Sequence, residues 1–351
     1  MEIRRRYFIS LFLSFVLTAL AGENFFQRSM VRNFDRPDSG IVKIENPIGQ
    51  LKVRTWDRED IEIRYRLYAE AGDYNESRNL VAKMQITVEE SYGELLIKTV
   101  LPFDKIEKAR FPYLDGRRSF DTAWEGRQIK ISTYSGTSVQ TEIEVSLPEN
   151  TSLIYEGIIS SGEIVSFSGN LDLSLEAGNL VLASTSGKQN VLIESGEIRL
   201  KKPGGDLIIT TKSGNITGEI DDSLKIEFTT QSGEIAIEAE NPPTQARIST
   251  QSGDFYYKGP TIPSAEIDSQ SGDMDIEFTA VAECSISVTS QSGEIEIQRD
   301  KPGFAATELI TESGKLSHPA IEKGLKYAKL ENPEGAGFLH VTTQSGNIKV
   351  K

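Results

Sequence analysis

The sequence contains the stretch Thr230-Gln231-Ser232-Gly233-Glu234-Ile235, and close copies of it return along the second half of the chain. The copies are Thr250-Gln251-Ser252-Gly253-Asp254-Phe255, Ser290-Gln291-Ser292-Gly293-Glu294-Ile295 and Thr343-Gln344-Ser345-Gly346-Asn347-Ile348. The turn glycines of the pattern are Gly162, Gly178, Gly196, Gly214, Gly233, Gly253, Gly272, Gly293, Gly314 and Gly346. Their spacing grows from 16 to 21 residues and ends with a gap of 32. The chain therefore holds a short structural repeat, with an insertion at 318–337 before its last copy.

Apolar residues alternate with polar ones on both sides of each turn. One apolar column before the turn contains Ile209, Phe228, Ile248, Ile267, Val288, Leu309 and Val341, and another after it contains Ile198, Ile216, Ile235, Phe255, Met274, Ile295, Leu316 and Ile348. A period of two predicts β-strands with these columns on one face. Each repeat is therefore predicted to hold two short strands, joined at a corner where glycine supplies the positive φ of a sharp turn.

Two short strands cannot bury an apolar face alone, whereas stacked copies can. Stacking pairs each strand with its equivalent in the next copy, about 4.8 Å away, and equivalent strands then run parallel. An antiparallel meander would also alternate, but it would not need two different corners in strict succession. The pattern favours an all-β fold, a parallel β-solenoid over residues 159–351.

The N-terminus is typical of an export signal. Arg4, Arg5 and Arg6 precede an apolar run, Tyr7 to Ala21, which ends in the small residues of a cleavage site. We predict that residues 1–21 are a cleaved signal peptide and that no transmembrane span is left after its removal. The alternative is an uncleaved anchor. The protein is therefore expected to be exported, to the periplasm, the cell surface or the medium.

Residues 22–158 are predicted to form a less regular β region, interrupted by an insertion of different character at 101–127. Seven strands are predicted, at 41–45, 51–55, 61–67, 84–89, 95–100, 128–133 and 142–147. Aromatic and arginine side chains gather in the insertion, namely Arg110, Phe111, Tyr113, Arg117, Phe120 and Trp124. Such residues are enriched at partner contacts. The alternative is a loop that packs over the neighbouring strands.

The negative charge of the chain disfavours partners that carry dense negative charge. The net charge is −14, so nucleic acid and bare anionic lipid would be repelled. Within the repeats, the outward residues Asp273, Asp275, Glu277, Glu294 and Glu296 form an acidic face. Calcium prefers such oxygen ligands, and weak calcium binding is the most this face would support. A solvated acidic face is the simpler interpretation.

The sequence offers little for catalysis. Its two histidines, His318 and His340, lie in no triad or zinc-ligand pattern, and the single cysteine, Cys284, occupies a core column. No phosphate-binding or dinucleotide-binding motif is present. We therefore predict no catalytic residues and no cofactor.

Two motifs and the repeat together carry a resemblance to a known family. Asn46-Pro47-Ile48-Gly49-Gln50-Leu51-Lys52-Val53, followed by Trp56-Asp57, and the step Leu147-Pro148-Glu149-Asn150 precede the Thr-x-Ser-Gly array. In these features the chain resembles a bacterial family of putative adhesins with β-strand repeats. The resemblance implies a right-handed β-solenoid, export, and a role in adhesion or envelope structure. It supplies no catalytic residues.

Three functions compete at this point. The first is a non-catalytic scaffold or adhesin-like protein of the cell envelope, whose partner would be an envelope protein or a glycan. The second is a polysaccharide-degrading enzyme, which would need a groove walled by long loops from several coils. The third is a polysaccharide-binding protein that uses Tyr256, Tyr257 and the aromatics of 101–127. The short corners of the central repeats favour the first.

Overall fold

The structure is a computed structural model that describes residues 24–114, 118–221, 223–299, 303–322 and 324–351. The predicted leader, residues 1–21, and Arg117 of the insertion lie outside these ranges. Within the described part of the chain, no helix is long and apolar enough to cross a bilayer.

The first half of the chain is built mostly of strands, as its alternation predicts. Its strands are β1 (Phe25–Asp35), β2 (Ile41–Glu45), β3 (Ile48–Trp56), β4 (Asp60–Glu70), β5 (Gln85–Ser91), β6 (Glu94–Val100), β7 (Ala109–Arg110), β8 (Ser119–Trp124), β9 (Arg127–Ser132) and β10 (Thr137–Pro148). All seven predicted strands are present. Helix α1 (Tyr74–Lys83) was not predicted; it begins where Asp73 accepts a hydrogen bond from the Glu76 amide.

The second half contains the repeats. Its strands are β11 (Ser152–Val165), β12 (Leu171–Ala183), β13 (Lys188–Lys201), β14 (Gly205–Ile220), β15 (Ser223–Thr230), β16 (Ile235–Ala239), β17 (Gln245–Thr250), β18 (Phe255–Pro260), β19 (Ser264–Ser271), β20 (Met274–Ala280), β21 (Ser285–Ser292), β22 (Ile295–Arg299), β23 (Ala306–Thr311), β24 (Leu316–Ser317), β25 (Tyr327–Glu331), β26 (Phe338–Thr343) and β27 (Ile348–Val350). In the early repeats one long strand runs through the corner, and in the later ones two strands flank it.

Equivalent strands of the repeats pair in parallel. Ile209 on β14 lies opposite Phe228 on β15, which in turn lies opposite Ile248 on β17. Both predicted apolar columns are buried along their whole length. The antiparallel alternative is therefore wrong for successive repeats. The fold is all-β, and its large sheet is mixed, because β1–β4, β4–β10, β5–β6, β8–β9 and β23–β25 are antiparallel pairs.

The N-terminal strands continue the stack of the repeats. Strand β11 pairs in parallel with β12 on one side and with β2 and β3 on the other. Strand β10 then lies between β3 and β4. The division of the chain at residue 158 stays a prediction.

A buried polar network holds the corner between β2 and β3. Asn46 is inaccessible to solvent. Its Nδ2 donates to the Tyr155 hydroxyl at 3.2 Å, and its Oδ1 accepts from Thr141 Oγ1 at 2.7 Å. Tyr155 donates onward to Ser160 Oγ at 3.3 Å. The Asn46-Pro47-Ile48-Gly49 motif thus supplies the amide that satisfies this corner from inside.

The glycine column has a different cause from the one predicted. Gly233 and Gly253 do not have a positive φ, although Gly196 and Gly293 do. A Cβ on Gly253 would lie 1.8 Å from the carbonyl oxygen of Gly233, and the same clash recurs from coil to coil. Glycine is required because the backbones of successive corners approach so closely.

The first member of the glycine column was also assigned wrongly. Ser160 lies opposite Gly178, whereas Gly162 lies opposite Leu180 in an apolar column. The Leu180 side chain fills the space where a Cβ of Gly162 would stand. The apolar columns, not the Ser-Gly dipeptide, fix the register of this coil.

Polar side chains tie the corners together along the stack. Five of the described turn serines, in the later coils, donate their hydroxyl to a main-chain carbonyl of the neighbouring coil, for example Ser271 to Gln251 at 3.2 Å and Ser345 to Gln291 at 3.1 Å. Where the residue after the glycine is Asp or Asn, its Oδ1 accepts from a main-chain amide of the neighbouring coil, as Asp254 does from the Asp273 amide at 2.9 Å. These bonds satisfy corner groups that a tight turn would otherwise leave unpaired.

The coils do not stack in chain order. Strand β26 pairs in parallel with β21 on one side and with β23 on the other, and β27 lies likewise between β22 and β24. Strand β25, from the 318–337 insertion, pairs with β23. The last strand of the chain, β27, is therefore not an edge strand of the stack. Lys349 and Lys351 both pair with Glu296 of the neighbouring coil.

Candidate binding surface

The structure divides the aromatic and arginine residues of 101–127 into two groups. Arg110 forms an ion pair with Glu70 at 2.7 Å, Phe111 is fully buried, and the exposed Tyr113 packs edge-on against it. Phe120 and Trp124 lie on the hairpin of β8 and β9, where both are part-buried against the core. The described residues of the segment, 101–114 and 118–127, pack onto the neighbouring strands, as the alternative interpretation expected. A partner contact through these residues stays a prediction.

The β8–β9 hairpin is firmly placed. Trp124 lies opposite Arg127, and the two-residue turn between them, Glu125-Gly126, has positive φ at both positions. This is the backbone form that matches the twist of a hairpin. Thr122 on β8 donates to Glu176 of β12 at 2.5 Å, which anchors the hairpin on the repeats.

A cleft of about 380 Å³ opens beside this hairpin. It lies between the end of α1, the end of β6, the 3-10 turn Phe103–Lys105 and the β8–β9 turn. Its lining includes Lys83, Thr99, Phe103, Asp104, Lys105, Trp124, Glu125 and Arg127. A second cavity, of about 360 Å³, shares Phe103 and continues past Glu107, Asp121 and Lys130. Together they combine aromatic surface with convergent polar groups, as small-ligand sites do.

Ion pairs engage most of the charges of the cleft. Asp104 lies 2.8 Å from Lys105 and 3.9 Å from Arg127, and the Lys105 ammonium lowers the pKa of its carboxyl. Glu125 pairs with Lys98, whose pKa it raises. Lys83 forms no ion pair within the described ranges. Its ammonium group is therefore available to an anionic group of a ligand.

Ion pairs engage two of the five carboxylates of the acidic face, Glu277 and Glu296. Glu277 pairs with Lys258 at 3.0 Å, and Glu296 pairs with Lys349 at 2.8 Å and also with Lys351. Asp273 accepts from the Glu294 amide at 2.8 Å. Burial, and then Glu296 and Glu277, raise the pKa of Asp275. No three acidic, histidine or cysteine side chains of the described residues could jointly hold a metal ion. Calcium binding here stays a prediction.

Three side chains, Glu308, His340 and Thr342, form a hydrogen-bonded chain that the sequence did not predict. His340 Nδ1 lies 2.9 Å from Glu308, and its Nε2 lies 2.9 Å from the Thr342 hydroxyl. Glu308 and His340 meet because β26 stacks on β23, which the sequence order does not suggest. The order of acid, base and hydroxyl resembles a hydrolytic triad. These side chains lie on the outward face of the sheet, however, and neither cavity of the hairpin region adjoins them.

The remaining candidates have ordinary surroundings. His318 contacts Arg299 at 3.1 Å, and burial and then that guanidinium lower the pKa of the imidazole. Cys284 is half-buried beside the core, and burial raises the pKa of its thiol. A thiol with a raised pKa is a poor nucleophile.

The chain is similar to several proteins of known structure and matches one protein family. The structure is similar to that of a putative adhesin from Parabacteroides merdae ATCC 43184 (12% identity, 94% of this chain and 97% of that chain covered, TM-score 0.39). It is also similar to a putative adhesin from Bacteroides fragilis NCTC 9343 (11%, 92% and 97%, 0.35) and to a putative lipid binding protein from Parabacteroides distasonis ATCC 8503 (12%, 92% and 97%, 0.43). No curated protein matches the sequence. The Toastrack DUF4097 model matches residues 85–245 and 225–351, which together span most of the chain. The chain therefore belongs to the Toastrack DUF4097 family.

Proposed function

We propose that the protein is an exported, non-catalytic binding scaffold of the bacterial cell envelope. The observation that carries the proposal is the continuous stack of parallel coils, which runs from β2 and β3 to β23 and β24. At about 4.8 Å per coil, the stack is about 50 Å long. Main-chain bonds, serine hydroxyls and a closely packed glycine column hold each coil on the next. Such a body is stiff along its axis and presents a site at one end to a partner.

The coils are proposed to be right-handed, and the N-terminal region is proposed to act as the binding end. Parallel strands joined by crossovers are right-handed in about 98% of known cases, which supports the handedness. The cleft and the adjoining cavity both lie in the predicted 22–158 region. We therefore assign support to the repeats and recognition to the region before them.

Absence of catalysis is part of the proposal. The Glu308, His340 and Thr342 side chains lie part-buried on the outward face of the sheet, and neither cavity of the hairpin region adjoins them. The alternative, a polysaccharide-binding or polysaccharide-degrading protein, is favoured in its binding form by the aromatic and polar lining of the cleft.

Cell fractionation with a C-terminally tagged protein tests the proposal, combined with crosslinking and pull-down. We expect the protein in the periplasmic, surface or medium fraction, with an N-terminus that starts after residue 21. Recovery from the cytoplasm with an intact N-terminus would refute export. Release of reducing ends from polysaccharides, lost in a His340→Phe variant, would refute the non-catalytic role.

A further inference from the structure

We propose that the cleft beside Trp124 binds a sugar unit that carries a carboxylate, as part of a uronic-acid oligosaccharide. This inference rests on the proposed function, because it names the ligand class of the binding scaffold. Three features of the cleft support it: an unpartnered buried hydroxyl, a rigidly held aromatic side chain and an unpaired cation.

The hydroxyl belongs to Thr99, near the end of β6. The residue is 1% exposed, yet it lines the cleft, and its Oγ1 has no hydrogen-bond partner within the described residues. A buried hydroxyl without a hydrogen-bond partner is energetically unfavourable, so such a group is a place where a bound ligand can gain affinity. A ligand hydroxyl at the cleft wall would satisfy it after a small shift of the wall that uncovers Oγ1.

The aromatic side chain is Trp124, which lines the cleft while its other surface packs on the core. The tight turn at Glu125-Gly126 and the pairing with Arg127 fix its position. Phe103 lies where this cleft meets the second cavity, so a chain-like ligand could pass from one to the other. Aromatic surface with polar groups around it suits a sugar ring, which has apolar faces and a polar rim.

The unpaired cation is Lys83, at the end of α1. Lys105 and Arg127 are shared with Asp104, and Glu125 is held by Lys98. The lining therefore has a local positive excess on a protein whose net charge is −14. A ligand with several closely spaced phosphates would be repelled by the acidic body of the molecule. One carboxylate per sugar unit matches one free ammonium.

Calorimetric titration of the mature protein tests this inference. The probes are trigalacturonate, trimannuronate and triglucuronate, each compared with its fully methyl-esterified form, which keeps the rings and removes the charge. We expect at least one acid to bind more tightly than its ester, with an affinity that falls as salt is added. Tryptophan fluorescence gives a second measurement. The chain has two tryptophans, so a Trp56→Phe variant leaves Trp124 as the only reporter.

Variants separate the roles of the groups. Lys83 is exposed, so Lys83→Gln should fold normally, and we expect it to weaken binding of the acid about three- to tenfold while binding of the ester stays the same. Lys188→Gln, an exposed lysine on the repeats, is the matched control and should change neither. Trp124→Ala should abolish binding in the calorimetric titration.

Two outcomes would overturn the inference: failure of all three acids to bind, or equal binding of acids and esters with no effect of Lys83→Gln. Either result would leave the proposed function standing if fractionation and pull-down find an envelope location and a partner. Recovery in the cytoplasm would overturn both.

Discussion

The close approach of the corner backbones predicts that Gly253→Ala is strongly destabilising. The new Cβ would lie 1.8 Å from the carbonyl oxygen of Gly233 and 2.7 Å from its carbonyl carbon, and backbone atoms cannot move aside as a side-chain end can. The two coils would have to separate locally by more than 1 Å to restore ordinary contact.

Separation would weaken the bonds that cross this corner. Ser252 N donates to Gln231 O at 2.9 Å, and Gln251 N donates to Thr230 O at 3.2 Å. Each such bond contributes about 0.5–1.5 kcal/mol, and overpacking a tight site costs about 1–3 kcal/mol. We therefore expect the free energy of unfolding to fall by about 3–4 kcal/mol.

Urea unfolding followed by circular dichroism measures this loss. The control is Gly72→Ala, where the Cβ meets only the flexible end of Glu76 and φ is not positive; its effect should stay within about 0.5 kcal/mol. Gly253 has no positive φ, so Gly253→Asn should lose at least as much stability as Gly253→Ala, because the close backbone contact excludes any Cβ at this corner. Near-normal stability of Gly253→Asn or of Gly253→Ala would refute the reasoning.

Three further perturbations follow from the structure. Asn46→Ala should cost about 2–4 kcal/mol, because it leaves the hydroxyls of Thr141 and Tyr155 buried without this partner; Tyr155→Phe, by the same urea assay, should cost about 1 kcal/mol. Asp275→Asn should stabilise the fold at neutral pH by about 0.5 kcal/mol, since a like charge lies on the facing Glu296. A raised carboxyl pKa means that the wild type gains stability as pH falls through that pKa. In melting curves, the advantage of the variant over the wild type should therefore shrink as pH is lowered from neutral. Deletion of residues 338–351 should expose the amides of 285–299 to hydrogen exchange and leave those of 171–183 protected; equal protection of both segments in the truncated chain would contradict the observed coil order.

The sequence was most informative where one physical requirement repeats. The apolar columns predicted both the strands and their parallel pairing, because an alternating face that recurs at each turn can be buried only against its own copies. The local dipeptide was less reliable. Ser161-Gly162 resembles a corner, but Leu180 occupies its apolar column, so packing overrides the motif. The sequence could not show why glycine is required at the corners, because the close contact is made with the backbone of the neighbouring coil.

The candidate site was only partly predictable. Composition singled out the segment that holds Trp124, because its aromatic and arginine content differs from the repeats. It did not point to Lys83 or Thr99, which reach the cleft through the packing of α1 and β6 beside the hairpin. Helix α1 itself was missed because its buried face is small, with Ser77, Leu80 and Val81 as its buried residues.

The last coils could stack in more than one order, so the observed order needs a physical cause. Every repeat offers the same apolar columns, so burial alone would let β23 lie directly on β21. An ion pair distinguishes the two arrangements. In the observed order β27 lies beside β22, and Lys349 of β27 pairs with Glu296 of β22. Strand β24, on the other side of β27, has the uncharged Ser317 at the equivalent position. Such part-exposed pairs add little stability, yet a small difference suffices when the competing arrangements bury nearly the same surface. Strand β25 then occupies one side of β23, which leaves the opposite side to β26. Burial of the apolar columns therefore explains why the coils stack. The Lys349–Glu296 ion pair and the 318–337 insertion favour the observed order of the last three coils.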